Sequence, residues 1–126
     1  MTRWLVDGMN VIGARPDGWW RDRQRAMRNL ADRLRTWAAV NEEPVTVVFD
    51  GDPPAEPVEG GEDVDVVFAG RGRTADDEIA HRVSADTDQA SLVVVTSDGE
   101  LVRRVQAHGA GVLGAGTFRH RLDEAS

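Results

Sequence analysis

Apolar residues along this chain follow two rhythms, short continuous runs and stripes spaced three and four apart. Their alternation predicts strands interleaved with helices, an α/β arrangement. Leu5 and Val6 sit in a first strand, 4–7, that stops at Asp7-Gly8, with Asn10 three positions beyond the aspartate. A loop, 12–21, follows, carrying Gly13, Pro16, Gly18 and the pair Trp19-Trp20. Met27, Leu30, Ala31, Leu34, Trp37 and Ala38 then form one apolar stripe, which predicts a long helix. Asp22 is placed to cap its start, and the helix ends near Asn41 because Pro44 cannot continue it. Arg28 and Asp32 are spaced to pair on its outer face. Residues 45–49 are nearly all apolar, as in a strand covered on both sides, and they also end in aspartate-glycine, Asp50-Gly51.

Residues 51–63 are rich in Pro, Gly and Glu and read as a loop. A third strand, 64–69, has Val64, Val66 and Phe68 on one face and Asp65 on the other, which places it at a sheet edge. A basic loop, Gly70-Arg71-Gly72-Arg73, leads to Thr74, which opens a second helix over about 75–85. The most apolar strand, 92–96, ends at Ser97-Asp98-Gly99. A third helix, 100–107, is closed by Gly109, and Val112-Leu113 make a short fifth strand. Residues from about 115 to 126 read as a tail that frays after at most one short helix. The order β-α-β-β-α-β-α-β in 126 residues implies one domain, 1–126, with three layers around a mainly parallel sheet.

Composition narrows the chemistry. The chain has no cysteine, which excludes disulfides, thiol nucleophiles and cysteine-bound metals. All 15 basic residues are arginine, so Schiff-base and P-loop lysines are absent too. No apolar segment approaches membrane-spanning length, and we expect a cytoplasmic protein with no membrane partner. The net charge of −7 argues against unaided nucleic-acid binding, yet it is unevenly placed. Arginines crowd residues 15–35, and Glu56, Glu59, Glu62, Asp63 and Asp65 crowd another stretch.

The aspartates at the strand ends carry the functional signal. In a parallel sheet, Asp7, Asp50 and Asp98 fall on one edge, where open α/β sheets bind their ligands. Helical phase adds Asp76, which shares a side with Ile79, Ala80 and Val83. Asp77 lies outward and fits a capping box with Thr74, while Glu78 is spaced to pair with Arg82. Carboxylates gathered in one cleft resist ionisation, and a hard divalent cation such as Mg²⁺ or Mn²⁺ relieves them. Other chemistries fit poorly. There is no Asp-x-Asp after the first strand, no Gly-x-Ser-x-Gly and no His-Glu-x-x-His, and Gly70-x-Gly72 precedes the wrong element for a dinucleotide site. His81, His108 and His120 are scattered and read as surface groups.

Four segments together, Asp7-Gly8-Met9-Asn10-Val11-Ile12, Val47-Val48-Phe49-Asp50-Gly51, Thr74-Ala75-Asp76 and Val95-Thr96-Ser97-Asp98, resemble the YacP-like branch of the NYN domains, among the PIN-like nucleases. The resemblance implies a PIN-like fold with five strands in the order 3-2-1-4-5. It implies metal-dependent, endonucleolytic hydrolysis of RNA, including messenger RNA at the ribosome. Asp7, Asp76 and Asp98 match the family's metal-binding acids, and Asn10 matches an asparagine that holds a water or a phosphate oxygen. Asp50 and Asp77 are further candidate ligands, and Glu78 is an alternative at the helix start. Arg71 and Arg73 are candidates for gripping substrate phosphates. Trp19, Trp20, Arg21 and Arg23 could stack and hold unpaired bases, against the plainer reading that one tryptophan closes the core. Two other functions compete: a non-catalytic RNA- or ribosome-binding module of the same fold, and a phosphatase acting on small nucleotides.

Overall fold

The computed structural model describes residues 1–125. Its strands are β1 (Arg3–Asp7), β2 (Val45–Phe49), β3 (Val64–Phe68), β4 (Leu92–Val95) and β5 (Gly111–Leu113). Its helices are α1 (Gly8–Gly13), α2 (Arg23–Asn41), α3 (Ala75–Ala85), α4 (Gly99–Ala107) and α5 (Ala115–Ala125), with 3₁₀ turns at Trp19–Arg21 and Gln89–Ser91. The sheet order is β3-β2-β1-β4-β5, and every neighbouring pair is parallel. The expected strand order holds, and the sheet is wholly rather than mainly parallel.

Alternation along the strands divides the core into two layers. Trp4, Val6, Val45, Val47 and Phe49 face α1, α2 and α5, while Leu5, Val48 and Val94 face α3 and α4. Both faces of β1 are therefore covered, and its residues from Trp4 to Asp7 are all buried. β3 lies at the edge, with Asp65 exposed. At the opposite end of the sheet from the strand-end aspartates, Arg3 grips Asp86 with two guanidinium nitrogens at 2.8 and 2.9 Å. That pairing holds the Asp86 carboxyl down at about 2 and ties the start of β1 to the end of α3.

Three expectations need correction. The loop expected over 12–21 starts later, because α1 begins directly after Asp7 and runs to Gly13. Gly8 is required there by close approach, since a Cβ would lie 2.5 Å from the Phe49 ring. Arg28 does not pair with Asp32: it reaches Glu56 at 3.8 Å, and Asp32 pairs with Arg35. Residues 115–125 do not fray. They form α5, whose Ala115, Phe118 and Leu122 are buried at helical spacing; Ser126 lies outside the described residues.

Phe118 stands 5.8 Å from Trp4 and 5.2 Å from Trp37, and the two tryptophans meet edge to face at 5.0 Å. This aromatic cluster accounts for Trp4, whose ring nitrogen also donates to Glu43 at 3.3 Å. Outside it, Asp123 accepts from both Arg15 and Arg33, clamping α5 to α2 and to the loop before it. The three histidines are exposed. No helix among the described residues is long and apolar enough to cross a membrane.

Removing an aromatic ring from such a cluster leaves a cavity. Phe118→Ala is expected to lower stability by about 3–5 kcal/mol, read as the midpoint and slope of a urea unfolding curve. A loss below about 1 kcal/mol would show that α5 does not hold the core.

Candidate active site

The parallel sheet brings the carboxyl ends of β1, β2 and β4 to one edge. Asp7 is the last residue of β1 and only 4% exposed; Asp50 directly follows β2; Asp98 follows β4 and opens α4. Asp76 joins them from the first turn of α3 and is half-buried, whereas Asp77 beside it is exposed.

Hydrogen bonds fix this edge. The Thr96 hydroxyl donates to Asp7 Oδ2 at 3.0 Å and accepts the Asp98 N–H at 3.1 Å. Asn10 Oδ1 accepts the Ser97 N–H at 2.8 Å, and Ser97 Oγ accepts the Ala115 N–H at 2.9 Å. α1, the β4–α4 turn and the start of α5 are thus joined through two side chains. Asp98 Oδ1 caps α4 by accepting from Leu101 N–H at 3.0 Å, and Asp50 Oδ1 accepts from Ala75 N–H at 2.7 Å at the start of α3. Each cap uses one carboxylate oxygen. The Asp76 carboxylate makes no hydrogen bond or ion pair among the described residues.

The electrostatics follow from this crowding. Burial pushes the Asp7 carboxyl up to about 7; Thr96 opposes the shift, and the charges of Asp76 and Asp50 add to it. The Asn10 backbone N–H also opposes it. Asp76 is raised by burial first, then by Asp98, Asp50 and Asp77, with Arg104 pulling the other way. Asp7 therefore senses the charges of Asp76 and Asp50, and Asp76 those of Asp98, Asp50 and Asp77.

Among the described residues, no three Asp, Glu or His side chains stand close enough to make a ready-formed metal cage. The donor set still suits a hard divalent ion in its chemistry, since it offers carboxylate oxygens whose charge the protein leaves largely unmet.

The expected substrate contacts fall in two places. Arg71 and Arg73 lie on the loop just before α3, where Gly70 and Gly72 take positive φ. Arg73 approaches Glu78 at 3.9 Å, and Glu78 also holds Arg82 at 2.8 Å, while Arg71 is exposed with its side chain unpaired among the described residues. Trp19 packs against the core and Trp20 is 54% exposed, so Trp19 is the one that closes the core. Trp19 and Arg21 line a cleft whose walls include none of the four aspartates, and Arg23 is exposed outside that lining. Sequence reasoning missed the roles of Thr96 and Ser97. Thr96 is buried, 1% exposed, at the end of an apolar run, and a hydroxyl in that position needs a partner.

The sign of the Asp7 shift sets a pH dependence. Its folded value of about 7 exceeds the ordinary 3.8, so ionising it costs stability. The cost starts as pH rises past the ordinary value and is complete above the folded one. In chelator, Asp7→Asn is expected to melt above wild type near about pH 8 by roughly 1–4 kcal/mol of stability, and level with it near about pH 4. A gap of the same size at both pH values would contradict the burial of an ionisable group there.

Comparison with known proteins agrees with this fold. No curated protein matches the chain. Among solved structures, Rae1 (YacP) from Bacillus subtilis superposes with a TM-score of 0.76 at 25% identity, over 99% of this chain and 75% of that one. A tryptophan-to-leucine mutant of the same protein superposes with a TM-score of 0.80 at 25% identity, over 99% and 77%. Residues 4–126 match the family described as YacP-like NYN domain, and the chain belongs to that family.

Proposed function

We propose that this protein is a metal-dependent endoribonuclease whose centre is the carboxylate edge at the ends of β1 and β4. Membership in the YacP-like NYN domain family supports the coarser reading, a nuclease acting on RNA. One observation supports the finer one: Asp7, only 4% exposed, shares one sheet edge with Asp50, Asp76 and Asp98, and the Asp76 carboxylate has no hydrogen-bond or ion-pair partner among the described residues. A cluster that costs stability when empty of positive charge is suited to a function that brings such charge.

Asp7, Asp76 and Asp98 would hold Mg²⁺ or Mn²⁺, with Asp50 and Asp77 at the margin. The ion would supply Lewis-acid charge at the phosphate and acidify a water nucleophile. The chain's own groups do the rest. Thr96 fixes the rotamer of Asp7 and the position of the Asp98 backbone together. Asn10 spends its oxygen on Ser97 and keeps its amide nitrogen for a phosphate oxygen. Arg71 can grip a neighbouring phosphate bidentately, and Arg73 can do so once freed from Glu78. Water oxygen attacks phosphorus as the bond to the 3′ oxygen breaks, and that oxygen takes up a proton. The products carry a 5′-phosphate and a 3′-hydroxyl. The net charge of −7 favours delivery of RNA by a larger assembly, and ribosome-bound messenger RNA is the substrate this reading names.

Wild type with Mn²⁺ is expected to cleave single-stranded RNA internally, and chelator to stop it. Asp98→Asn should slow cleavage on the order of a hundredfold, and Thr96→Val by roughly 10–100-fold in kcat with little change in KM. Equal product from wild type and Asp98→Asn, or cleavage that survives chelator, sinks the assignment. RNA binding without cleavage by any of these proteins would favour a binding module instead.

A further inference from the structure

A cleft of about 660 Å³ opens on the other side of α1, between Trp19, α2 and α5. Its volume falls in the range of small-ligand sites, roughly 300–1,000 Å³. Ile12 and Leu30 give it an apolar floor, and Trp19 forms part of its wall. Arg21, Arg25, Arg33 and Arg119 line it, as do Asp17, Asp22 and Asp32.

Two acids in the lining are ion-paired, and the third has one oxygen in a helix cap. Asp17 faces Arg119 at 3.4 Å, Asp22 caps α2 through the Arg25 N–H at 3.1 Å, and Asp32 pairs with Arg35 outside the cleft. Arg33 is held by Asp123. The guanidinium groups of Arg21 and Arg25 have no hydrogen bond or ion pair among the described residues. Deeper in, Arg119 has a buried Nε with no partner, and burial together with the charges of Arg15 and Arg33 disfavours its charge. The cleft thus joins an aromatic wall and an apolar floor to two guanidinium groups, those of Arg21 and Arg25, that have no partner among the described residues.

We propose that this cleft receives one unpaired nucleotide of the RNA chain, its base against Trp19 and its flanking phosphates on Arg21 and Arg25. Stacking on an aromatic ring accepts any base, and the arginine fork fits a phosphate. A base held inside a duplex cannot turn its face to that wall, so the site selects single strands. α1, six residues long and about 9 Å from end to end, separates Asp7 from the cleft. In this proposal the strand runs from the cleft along α1, past Asn10, to the carboxylates. This inference rests on the ribonuclease reading, and it adds Arg25 and a defined place for Trp19 and Arg21.

The test uses the full chain in chelator, where no metal-dependent cleavage interferes, and a fluorescent single-stranded RNA beside a duplex of equal length. Arg21→Ala/Arg25→Ala is expected to bind the single strand at least about tenfold more weakly. Its salt dependence should flatten by about 0.7 for each phosphate that the variant no longer neutralises. Trp19→Phe, which keeps a ring, should retain most of the affinity, and duplex binding should be the same in all three proteins. Unchanged single-strand affinity and salt slope in the double variant would overturn the proposal. So would equal weakening for single strand and duplex, or competition by polyglutamate as strong as by RNA. Arginine-dependent binding by a chain that cleaves nothing would keep the cleft and remove the nuclease reading. Cleavage with arginine-independent binding would do the reverse.

Discussion

Asp7 is 4% exposed between β2 and β4, with the Thr96 hydroxyl and one backbone N–H to offset its lost hydration. A buried carboxylate is tolerable only where such partners are fixed in place. Both requirements shape the fold around it. The hydroxyl demands that β4 lie beside β1 in one register. The Asn10 N–H lies near the carboxylate because α1 begins without an intervening loop, and this brings backbone against the Phe49 ring, where only Gly8 fits. The strand order, the glycine and the buried threonine answer the same constraint.

The remaining acids are held differently. Asp98 and Asp50 each satisfy backbone N–H groups at a helix start, where negative charge is favourable. Capping and site chemistry are therefore not rival explanations here, because a carboxylate has two oxygens and a cap consumes one. Asp76 has no such anchor and relies on its place in the first turn of α3. The arginines are sorted in the same manner. Arg3, Arg15, Arg33 and Arg119 are held in ion pairs, whereas the guanidinium groups of Arg21, Arg25 and Arg71 have none among the described residues.

Much of this was legible in the sequence because each signal is local. Apolar runs bounded by aspartate-glycine marked β1, β2 and β4, and the stripe from Met27 to Ala38 marked α2. The right-handed crossover rule limited the topologies, and the resemblance supplied the strand order that the structure carries. The aspartates were visible as strand endings. The partners of those aspartates were not, because Thr96 meets Asp7 and Asn10 meets Ser97 only after folding. Short elements also escaped. α1 has six residues and no cap box, and α5 has three buried anchors whose spacing becomes decisive only against Trp4 and Trp37. The Arg28 pairing failed because Glu56, far along the chain, competes for the same cation.

The bond between Thr96 and Asp7 spans 89 positions and that between Asn10 and Ser97 spans 87. Closing so long a loop costs entropy that is repaid only once β4 lies against β1. Until then one side of β1 has no strand to pair with, and Asp7 lacks its hydroxyl. The carboxylate edge therefore comes together in the same step that closes the sheet. A chain cut short before β4 would carry Asp7, Asp50 and Asp76 but neither Asp98 nor the Thr96 hydroxyl, so the edge is complete only once β4 and the turn after it are in place.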